Sequence, residues 1–337
     1  MFFYYKILFL TILIIGSLIS ISANSWMGMW LGLEINLMAF IPLLQEKKNI
    51  YSTESSLKYF LTQALASVIL LFMLILLSKN LLYFKNIETP LMMILNSALL
   101  TKMGMAPFHF WFPEVIEGLN WMNCLILLTW QKITPMILIM YNLNYQFFFM
   151  VIIIFSMMIS GFMGINQSSL RKFLAYSSIN HMAWMISAMF FSETIWFYYF
   201  IIYFILSINI IFIFHIYNIF YYNQLLNSLN QNFLLKLFFS FNFLSLGGLP
   251  PFLGFFPKWL TIQFMISCNW IFMIFFMVIF TLLTLYYYMR LIFNILIFTN
   301  NENNYYYYLP FKFYWMIFFN LLSLSSLIFL TLSFNFL

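Results

Sequence analysis

The chain has 337 residues, of which 65% are hydrophobic and only 7% are charged, and its formal net charge is +6. A soluble domain carries about 25% charged residues, so this composition excludes an ordinary soluble globular protein and indicates a chain that lies in lipid. The positive charge is too dispersed to indicate nucleic-acid binding, and its distribution between loops is more informative.

Eleven apolar segments follow one another along the chain, separated by short polar gaps. Runs of about 20 residues without alternating polarity favour transmembrane helices over a β-barrel. The predicted spans are 5–23, 26–44, 57–78, 91–117, 121–141, 147–165, 172–191, 194–219, 233–262, 267–293 and 312–335. The clearest gaps are 45–56, 78–90, 221–232 and 298–310. These gaps are too short for an extramembrane domain, so we expect an all-α membrane protein that is one helical bundle.

Lysine and arginine predict the orientation of this bundle. With eleven spans the termini lie on opposite sides, and an alternating assignment of the gaps puts nine basic residues on the N-terminal side and two on the other. The nine are Lys6, Lys47, Lys48, Lys58, Arg171, Lys172, Lys236, Arg290 and Lys312, and the two are Lys79 and Lys85. Since basic loops stay on the cytoplasmic or matrix side, the N-terminus is expected there.

Glu34 is an acidic residue in the middle of an apolar span, within W-L-G-L-E-I-N-L at 30–37. The other glutamates fall at span ends or in gaps. A nearby ammonium would keep a buried carboxylate ionised. We therefore expect Glu34 to pair with a lysine inside the membrane.

Lys102 begins the stretch K-M-G-M-A-P-F-H-F-W-F-P-E-V at 102–115 and lies about twelve residues into the predicted span 91–117. A lysine at this depth costs at least ~2.5 kcal/mol on insertion scales. Gly104 and Pro107 weaken the helix beside it. A broken helix at membrane depth is tolerated only where it is buried in protein or lines a hydrated cavity. The pattern predicts a site that moves charge, with His109 as a weaker candidate.

Two further lysines lie inside predicted spans. Lys132, in T-W-Q-K-I-T-P at 129–135, would have to cross half the bilayer to reach the interface by extending its side chain. Lys258 follows G-G-L-P-P-F-L-G-F-F-P at 247–257, which predicts a second interrupted helix near Gly247–Pro251. For all three lysines the alternative is a purely structural role in packing the helices.

His181 lies about ten residues into the span 172–191, within A-Y-S-S-I-N-H-M-A-W at 175–184. It is either a hydrogen-bonded neutral side chain or a proton relay, since the ordinary pKa of histidine, about 6.5, suits proton transfer. His215 has only apolar and aromatic neighbours and is a weaker candidate.

Cys124 and Cys268 form no metal-ligand or disulfide pattern. Because no glycine-rich phosphate loop or bis-histidine haem pattern occurs, no flavin, nicotinamide, iron–sulfur or metal site is expected in this chain.

Lys102 and Lys258 each accompany a segment interrupted by glycine and proline, one in each half of the chain. Paired interrupted helices in corresponding positions predict an inverted repeat with sites near the membrane midplane. We expect a single transmembrane domain over 1–337. Its parts are a first half-repeat at about 5–141, a second at about 147–293 and a C-terminal helix at about 312–335.

The runs at 30–37, 102–115, 129–135, 175–182 and 247–259 closely resemble the chain 2 family of NADH–ubiquinone oxidoreductase, which is the mitochondrially encoded subunit 2 of respiratory complex I. The resemblance extends over most of the chain, although the segment after Arg290 contributes little. It implies an antiporter-like core subunit of the membrane arm. Such a subunit couples NADH:ubiquinone electron transfer to proton pumping in the mitochondrial inner membrane, with the N-terminus in the matrix and the C-terminus in the intermembrane space.

The resemblance also implies roles for the buried charges. Glu34 and Lys102 would form an interacting pair, Lys132 would be the central relay, and Lys258 would be the relay of the second half. Water around the helix breaks would connect these groups with His181. Flavin, iron–sulfur clusters and ubiquinone are expected in other subunits. The expected partners are other membrane-arm subunits, notably subunits 4 and 4L, and membrane lipids, without nucleic acid.

Two other functions remain open at this point. The chain could belong to a cation/proton antiporter that works in a smaller complex, which sodium transport without redox subunits would support. It could also be a structural membrane spacer whose charged residues only fix helix packing. A spacer predicts that neutralising Lys132 removes assembly and activity together, whereas a pump predicts assembly with impaired coupling.

Overall fold

The computed structural model describes residues 2–46, 49–80, 88–229 and 233–297, and this part of the chain contains fourteen α-helices and no strand. The helices are α1 (Phe2–Ser22), α2 (Trp26–Leu44), α3 (Ile50–Asn80), α4 (Glu88–Met103), α5 (Trp111–Gly118), α6 (Trp121–Leu128), α7 (Trp130–Met140), α8 (Gln146–Ile165), α9 (Leu170–Met189), α10 (Glu193–Tyr217), α11 (Tyr222–Leu229), α12 (Phe233–Gly247), α13 (Phe255–Ser267) and α14 (Ile271–Ile297). The predicted all-α membrane class is therefore confirmed.

Within the described residues, seven segments are long and apolar enough to cross a membrane. They are Tyr4–Ser22, Trp26–Leu44, Ile50–Ser78, Trp121–Met140, Gln146–Ile165, Glu193–Tyr217 and Ile271–Ile297. The predicted C-terminal helix at 312–335 lies outside the described residues, as do Lys47, Lys48, Lys85 and Lys312. The number of eleven spans therefore stays a prediction.

The chain divides into two compact units, with the boundary inside α8 between Ser156 and Met157. In the first unit, α2 packs against α1 and α3, while α4 packs against α3 and α7. In the second unit, α9 packs against α10, α13 and α14. All residues of α9 except Arg171 and Lys172 are buried, which makes α9 the central helix of its unit.

Each unit contains one of the two predicted interruptions. The first separates α4, which ends at Met103, from α5, and the second separates α12 from α13. Both begin with a glycine in the left-handed region, since φ is 73° at Gly104 and 79° at Gly248. Glycine adopts this conformation without the steric penalty that a Cβ atom brings. The predicted breaks near Gly104–Pro107 and Gly247–Pro251 are confirmed.

Two local features differ from the prediction. The span predicted as one helix over 121–141 is divided at Thr129, whose hydroxyl donates to the carbonyl of Leu125 at 2.6 Å. Such a bond to the preceding turn bends a helix.

The predicted gap 221–232 contains α11, because Leu225 and Leu229 lie one turn apart and are both buried. Its many polar residues concealed this short amphipathic pattern.

Candidate functional site

The first interruption leaves backbone groups of α4 without helical partners, and side chains from other elements satisfy them. The side-chain amide of Gln63 on α3 donates to the carbonyl of Lys102 at 3.2 Å. The indole N–H of Trp111 donates to the carbonyl of Thr101 at 3.1 Å. A helix end inside a membrane needs such partners because no bulk water reaches it. The break is thus built into the packing of the first unit.

Lys102 lies in the last turn of α4, is 7% exposed and lines a cavity of about 20 Å³. A cavity of this volume has room for about one water molecule. The other lining residues are Leu33, Asn36, Leu37, Tyr59, Gln63, Gln131, Thr134 and Pro135. Within this lining, the amide of Gln131 donates to Oδ1 of Asn36 at 2.9 Å. Lys102 is therefore buried beside a small polar cavity.

Lys132 follows the lining residue Gln131 in the sequence and is the next buried cation of the first unit. The side chain of Lys132 is 1% exposed, which makes it one of the most enclosed charged groups in the unit. Its Nζ atom lies 5.2 Å from the ring centroid of Phe112, within the range of a cation–π contact. Lys132 lies in the first turn of α7, which starts at Trp130 directly after the irregularity at Thr129.

Glu34 lies at the margin of the α2 face that lines the cavity. Leu33 and Leu37 belong to that face, whereas Leu31 and Met38, on the other side of Glu34, are 49% and 58% exposed. The carboxylate is half-buried and acts electrostatically on Lys102. In the described part of the chain, however, no oxygen of Glu34 forms an ion pair with Lys102 within 4.0 Å. Their function as a pair therefore stays a prediction.

The second interruption supplies the immediate surroundings of Lys258. The Nζ atom of Lys258 on α13 donates to the carbonyl of Gly247 at 2.9 Å and to that of Leu246 at 3.4 Å. These carbonyls at the end of α12 have no helical donor because the chain turns at Gly248. Nζ also lies 5.9 Å from the ring of Trp184 on α9. The broken helix thus holds a lysine that is 7% exposed.

His181 lies on the central helix α9, three residues before Trp184, so the two side chains share one face. Its Nδ1 atom is 3.1 Å from the hydroxyl of Tyr199 on α10, and its ring centroid is 5.2 Å from that of Tyr203. The histidine is 4% exposed. Lys258, Trp184, His181 and Tyr199 therefore form one buried group of neighbours within the second unit.

The structure also identifies site residues that the sequence reasoning did not single out. These are Gln63, Asn36 and Gln131 in the first unit, and Trp184 and Tyr199 in the second. An isolated amide inside an apolar span is costly and often functional, so Gln63 and Asn36 carried a usable signal. Tyr199 carried none, since 22 tyrosines are spread over the chain.

His109, the weaker histidine candidate of the first unit, lies close to two residues of its own interruption. His109, in the first interruption, has its Nδ1 atom 3.4 Å from the carbonyl of Pro107, and its ring lies 4.5 Å from that of Phe110. Across the described ranges, no group of three or more histidine, cysteine, aspartate or glutamate side chains is arranged to hold a metal ion.

Gly248→Ala is expected to destabilise the second unit by about 1–3 kcal/mol, the usual cost of forcing a side chain into a disfavoured backbone conformation. An added Cβ would also lie 2.8 Å from Cδ of Lys258, which would push the lysine off its carbonyl partners. The measurements are the half-life of activity at raised temperature and the yield of assembled complex on a native gel.

Gly247→Ala is the matched control for this substitution. A Cβ at Gly247 would meet its nearest neighbour, Tyr288, at 3.6 Å, which is ordinary contact. We expect this variant to behave like the original chain. If the two alanine variants lose stability equally, the left-handed turn at Gly248 does not have the role described here.

Comparisons with known proteins give matches over most of the chain. The family model "NADH:quinone oxidoreductase/Mrp antiporter, TM" matches residues 23–284. NADH-ubiquinone oxidoreductase chain 2 of Anopheles gambiae is 52% identical over 279 residues, which are 81% of this chain and 81% of the relative. The same subunit of Aedes aegypti is 51% identical, again over 81% of each chain.

A solved structure shares the fold. The chain superposes on a subunit of respiratory complex I from Thermus thermophilus with a TM-score of 0.85 and 21% sequence identity. The match covers 96% of this chain and 77% of the other.

Proposed function

Since the chain belongs to the NADH-ubiquinone oxidoreductase chain 2 family, we propose that it conducts protons through its own helices by a relay of buried lysine and glutamate side chains. As a member of that family it is a membrane-arm subunit of complex I, the proton-translocating NADH:ubiquinone reductase of the mitochondrial inner membrane. Other membrane subunits of complex I are therefore its partners, and we propose subunits 4 and 4L among them.

One observation carries the proposal. Each of the two units holds a lysine, Lys102 or Lys258, that is 7% exposed and lies beside an interrupted helix. A lysine ammonium is expensive to keep at membrane depth, so such residues face a bundle interior and mark ion or proton pathways. A spacer would gain stability from apolar residues at both positions.

In the first unit, the proposed path runs from Lys102 through the 20 Å³ cavity to Lys132. A water molecule there would bridge the ammonium to the polar groups of Gln131 and Thr134. A lysine can give up its proton when its surroundings favour the neutral amine, which a guanidinium cannot do in this range. Protonating Glu34, or moving it away, would change the proton affinity of Lys102 and so control the first transfer.

In the second unit, the proposed path contains Lys258 and His181. The carbonyls of Gly247 and Leu246 each accept a hydrogen bond from the Lys258 ammonium and hold it in place. The hydroxyl of Tyr199 is hydrogen-bonded to Nδ1 and orients the ring of His181, a residue type that commonly relays protons. Flavin, iron–sulfur clusters and ubiquinone are proposed to lie in other subunits, so the chain itself performs no redox step.

Lys258→Gln tests this function. In proteoliposomes that contain the whole complex, this variant is expected to lower the number of protons moved per NADH oxidised by at least about twofold, because glutamine cannot exchange a proton. The measurement is quenching of a pH dye together with NADH absorbance. Lys172→Gln, a change of the same charge at the polar start of α9, is the control and should leave the ratio unchanged.

Two results would favour the alternative functions. Sodium transport by the isolated membrane subunits, without NADH oxidation, would identify a cation/proton antiporter. Loss of the assembled complex in Lys258→Gln, with normal assembly in Lys172→Gln, would indicate a structural spacer. An unchanged proton ratio in an assembled Lys258→Gln complex would contradict the relay.

We also propose that the N-terminus faces the matrix and the C-terminus the intermembrane space, on the basis of the basic residues in the loops. In intact mitochondria whose outer membrane has been opened, an impermeant amine reagent should therefore leave Lys47 unmodified and label Lys85. Labelling of Lys47 from the intermembrane side would reverse the orientation.

A further inference from the structure

A cavity of about 370 Å³ lies at one end of the second unit, and neither Lys258 nor His181 lines it. It lies where α8 ends at Ile165, beside the connection from α8 to α9 and against α11 and α14. The lining residues include Asn166, Gln167, Ser168, Tyr222, Asn223 and Arg290. Because the membrane spans α8 and α10 end next to it, the cavity lies at the level of the membrane–water interface.

Hydrogen bonds between three elements hold the walls of this cavity in place. The hydroxyl of Tyr222 on α11 accepts from the side-chain amide of Asn294 on α14 at 2.6 Å. The backbone N–H of Tyr222 donates to the carbonyl of Ser168 at 3.2 Å, and that of Leu170 donates to Phe220 at 3.0 Å. These bonds join the two loops on either side of the cavity. The walls of the site are therefore held by hydrogen bonds within the chain, which limits the entropy lost on binding.

Among the described residues of the second unit, basic side chains outnumber acidic ones. In the described part of the second unit the basic residues are Arg171, Lys172, Lys236, Lys258 and Arg290. The acidic residue in the same part is Glu193, which begins α10 at the opposite end of that helix. The Arg290 side chain is exposed and lines the cavity. An anion bound beside Arg290 would reduce the excess of positive charge among these described residues.

Apolar side chains surround the polar cavity on its membrane side. Phe162 and Met163, which directly precede the lining residue Gly164, are 57% and 49% exposed. Leu282, about two turns before Arg290 on α14 and therefore on the membrane side, is 58% exposed. This apolar surface suits the acyl chains of a lipid. It therefore favours a phospholipid over a small inorganic anion as the ligand of the cavity. The combination of a cationic cavity and an adjoining apolar surface matches the two parts of a phospholipid.

We propose that this cavity binds the phosphate group of an anionic membrane phospholipid, with Arg290 as the principal contact. A guanidinium can donate two parallel hydrogen bonds to a phosphate, and the hydroxyl and amide groups of Ser168, Gln167 and Asn223 can donate further bonds. The surrounding positive charge favours headgroups with net negative charge over zwitterionic ones. The acyl chains would lie along α8 and α14. The proposal does not depend on proton transfer by this chain.

The test uses the intact complex in phosphatidylcholine vesicles that contain about one-tenth photoactivatable phosphatidylglycerol, so that anionic lipid is a minor component. Cross-linked peptides are then mapped by mass spectrometry. We expect adducts on 164–168 or 287–291, and about a tenfold loss of these adducts in Arg290→Gln. Lys172→Gln, which removes a charge near the cavity without touching its lining, should change the adducts less than about twofold.

Several outcomes would overturn the proposal. Equal labelling by photoactivatable phosphatidylcholine would show that the site does not select negative lipid. Absence of lipid adducts on 164–168 and 287–291, together with protection of Arg290 from an arginine reagent by inorganic phosphate, would identify a free anion as the ligand. Cross-links to a neighbouring polypeptide instead of lipid would identify a protein contact. If Arg290→Gln does not assemble, the adducts of Arg290→Lys and the reagent protection in the unmodified complex decide between these sources.

Discussion

Replacing Lys132 with methionine is expected to lower proton pumping coupled to NADH oxidation about tenfold or more, while the complex still assembles. Methionine keeps the length and apolar stem of the side chain but cannot carry a proton. Lys132 is 1% exposed, so removing its charge also removes a large desolvation cost. The expected combination is therefore lost function with unchanged or increased thermal stability. Pumping, electron transfer and assembly on native gels are measured on the same preparation.

Lys58→Met is the matched control for this prediction. Lys58 is a partly exposed lysine that pairs with Glu54 at 3.0 Å and with Glu114 at 2.9 Å. Because exposed ion pairs contribute at most about 1 kcal/mol, the control should retain pumping and assembly. Normal pumping in an assembled Lys132→Met complex would contradict the role of Lys132 as a relay. Loss of assembly in Lys132→Met alone would indicate that the lysine is structural.

Lys102→Ala and Glu34→Gln are expected to impair the same step, each lowering pumping about tenfold. If the two residues act as one switch, the double variant should be no worse than the more severe single variant, since effects of residues that work as a unit are not additive. Lys102→Arg should restore charge but not pumping, because a guanidinium does not release its proton near neutral pH. The measurement is the proton-to-electron ratio in proteoliposomes.

The matched control for Glu34→Gln is Glu114→Gln, which removes an acid from an exposed ion pair and should leave the ratio unchanged. Additive losses in the Glu34 and Lys102 double variant would show two independent sites. Full pumping in an assembled Lys102→Ala complex would remove the pair from the mechanism. Recovery in Lys102→Arg would show that positive charge alone is needed at this position.

Local chain chemistry made the two interruptions predictable. Gly104 and Pro107, like Gly248 and Pro251, cannot continue a regular helix, and the structure ends α4 and α12 at these points. The irregularity at Thr129 was not predictable in the same way. Threonine is common inside apolar helices, and its effect depends on the rotamer that lets the hydroxyl reach Leu125. Pro135, the more obvious disruptor, lies inside α7 without ending it.

The sequence by itself determined that the chain lies in a membrane, that two helices are broken, and that three lysines and Glu34 fall within apolar spans. Each of these follows from composition or from neighbours a few residues apart. Only the tertiary structure decided what surrounds the buried charges. Gln131 contacts Asn36 across 95 residues of sequence, and Tyr199 meets His181 from the next helix. Glu34 lies at the edge of the α2 face that lines the cavity, and this position depends on how α2 is rotated about its axis. The helical period shows which residues share a face, but packing decides which neighbour that face contacts.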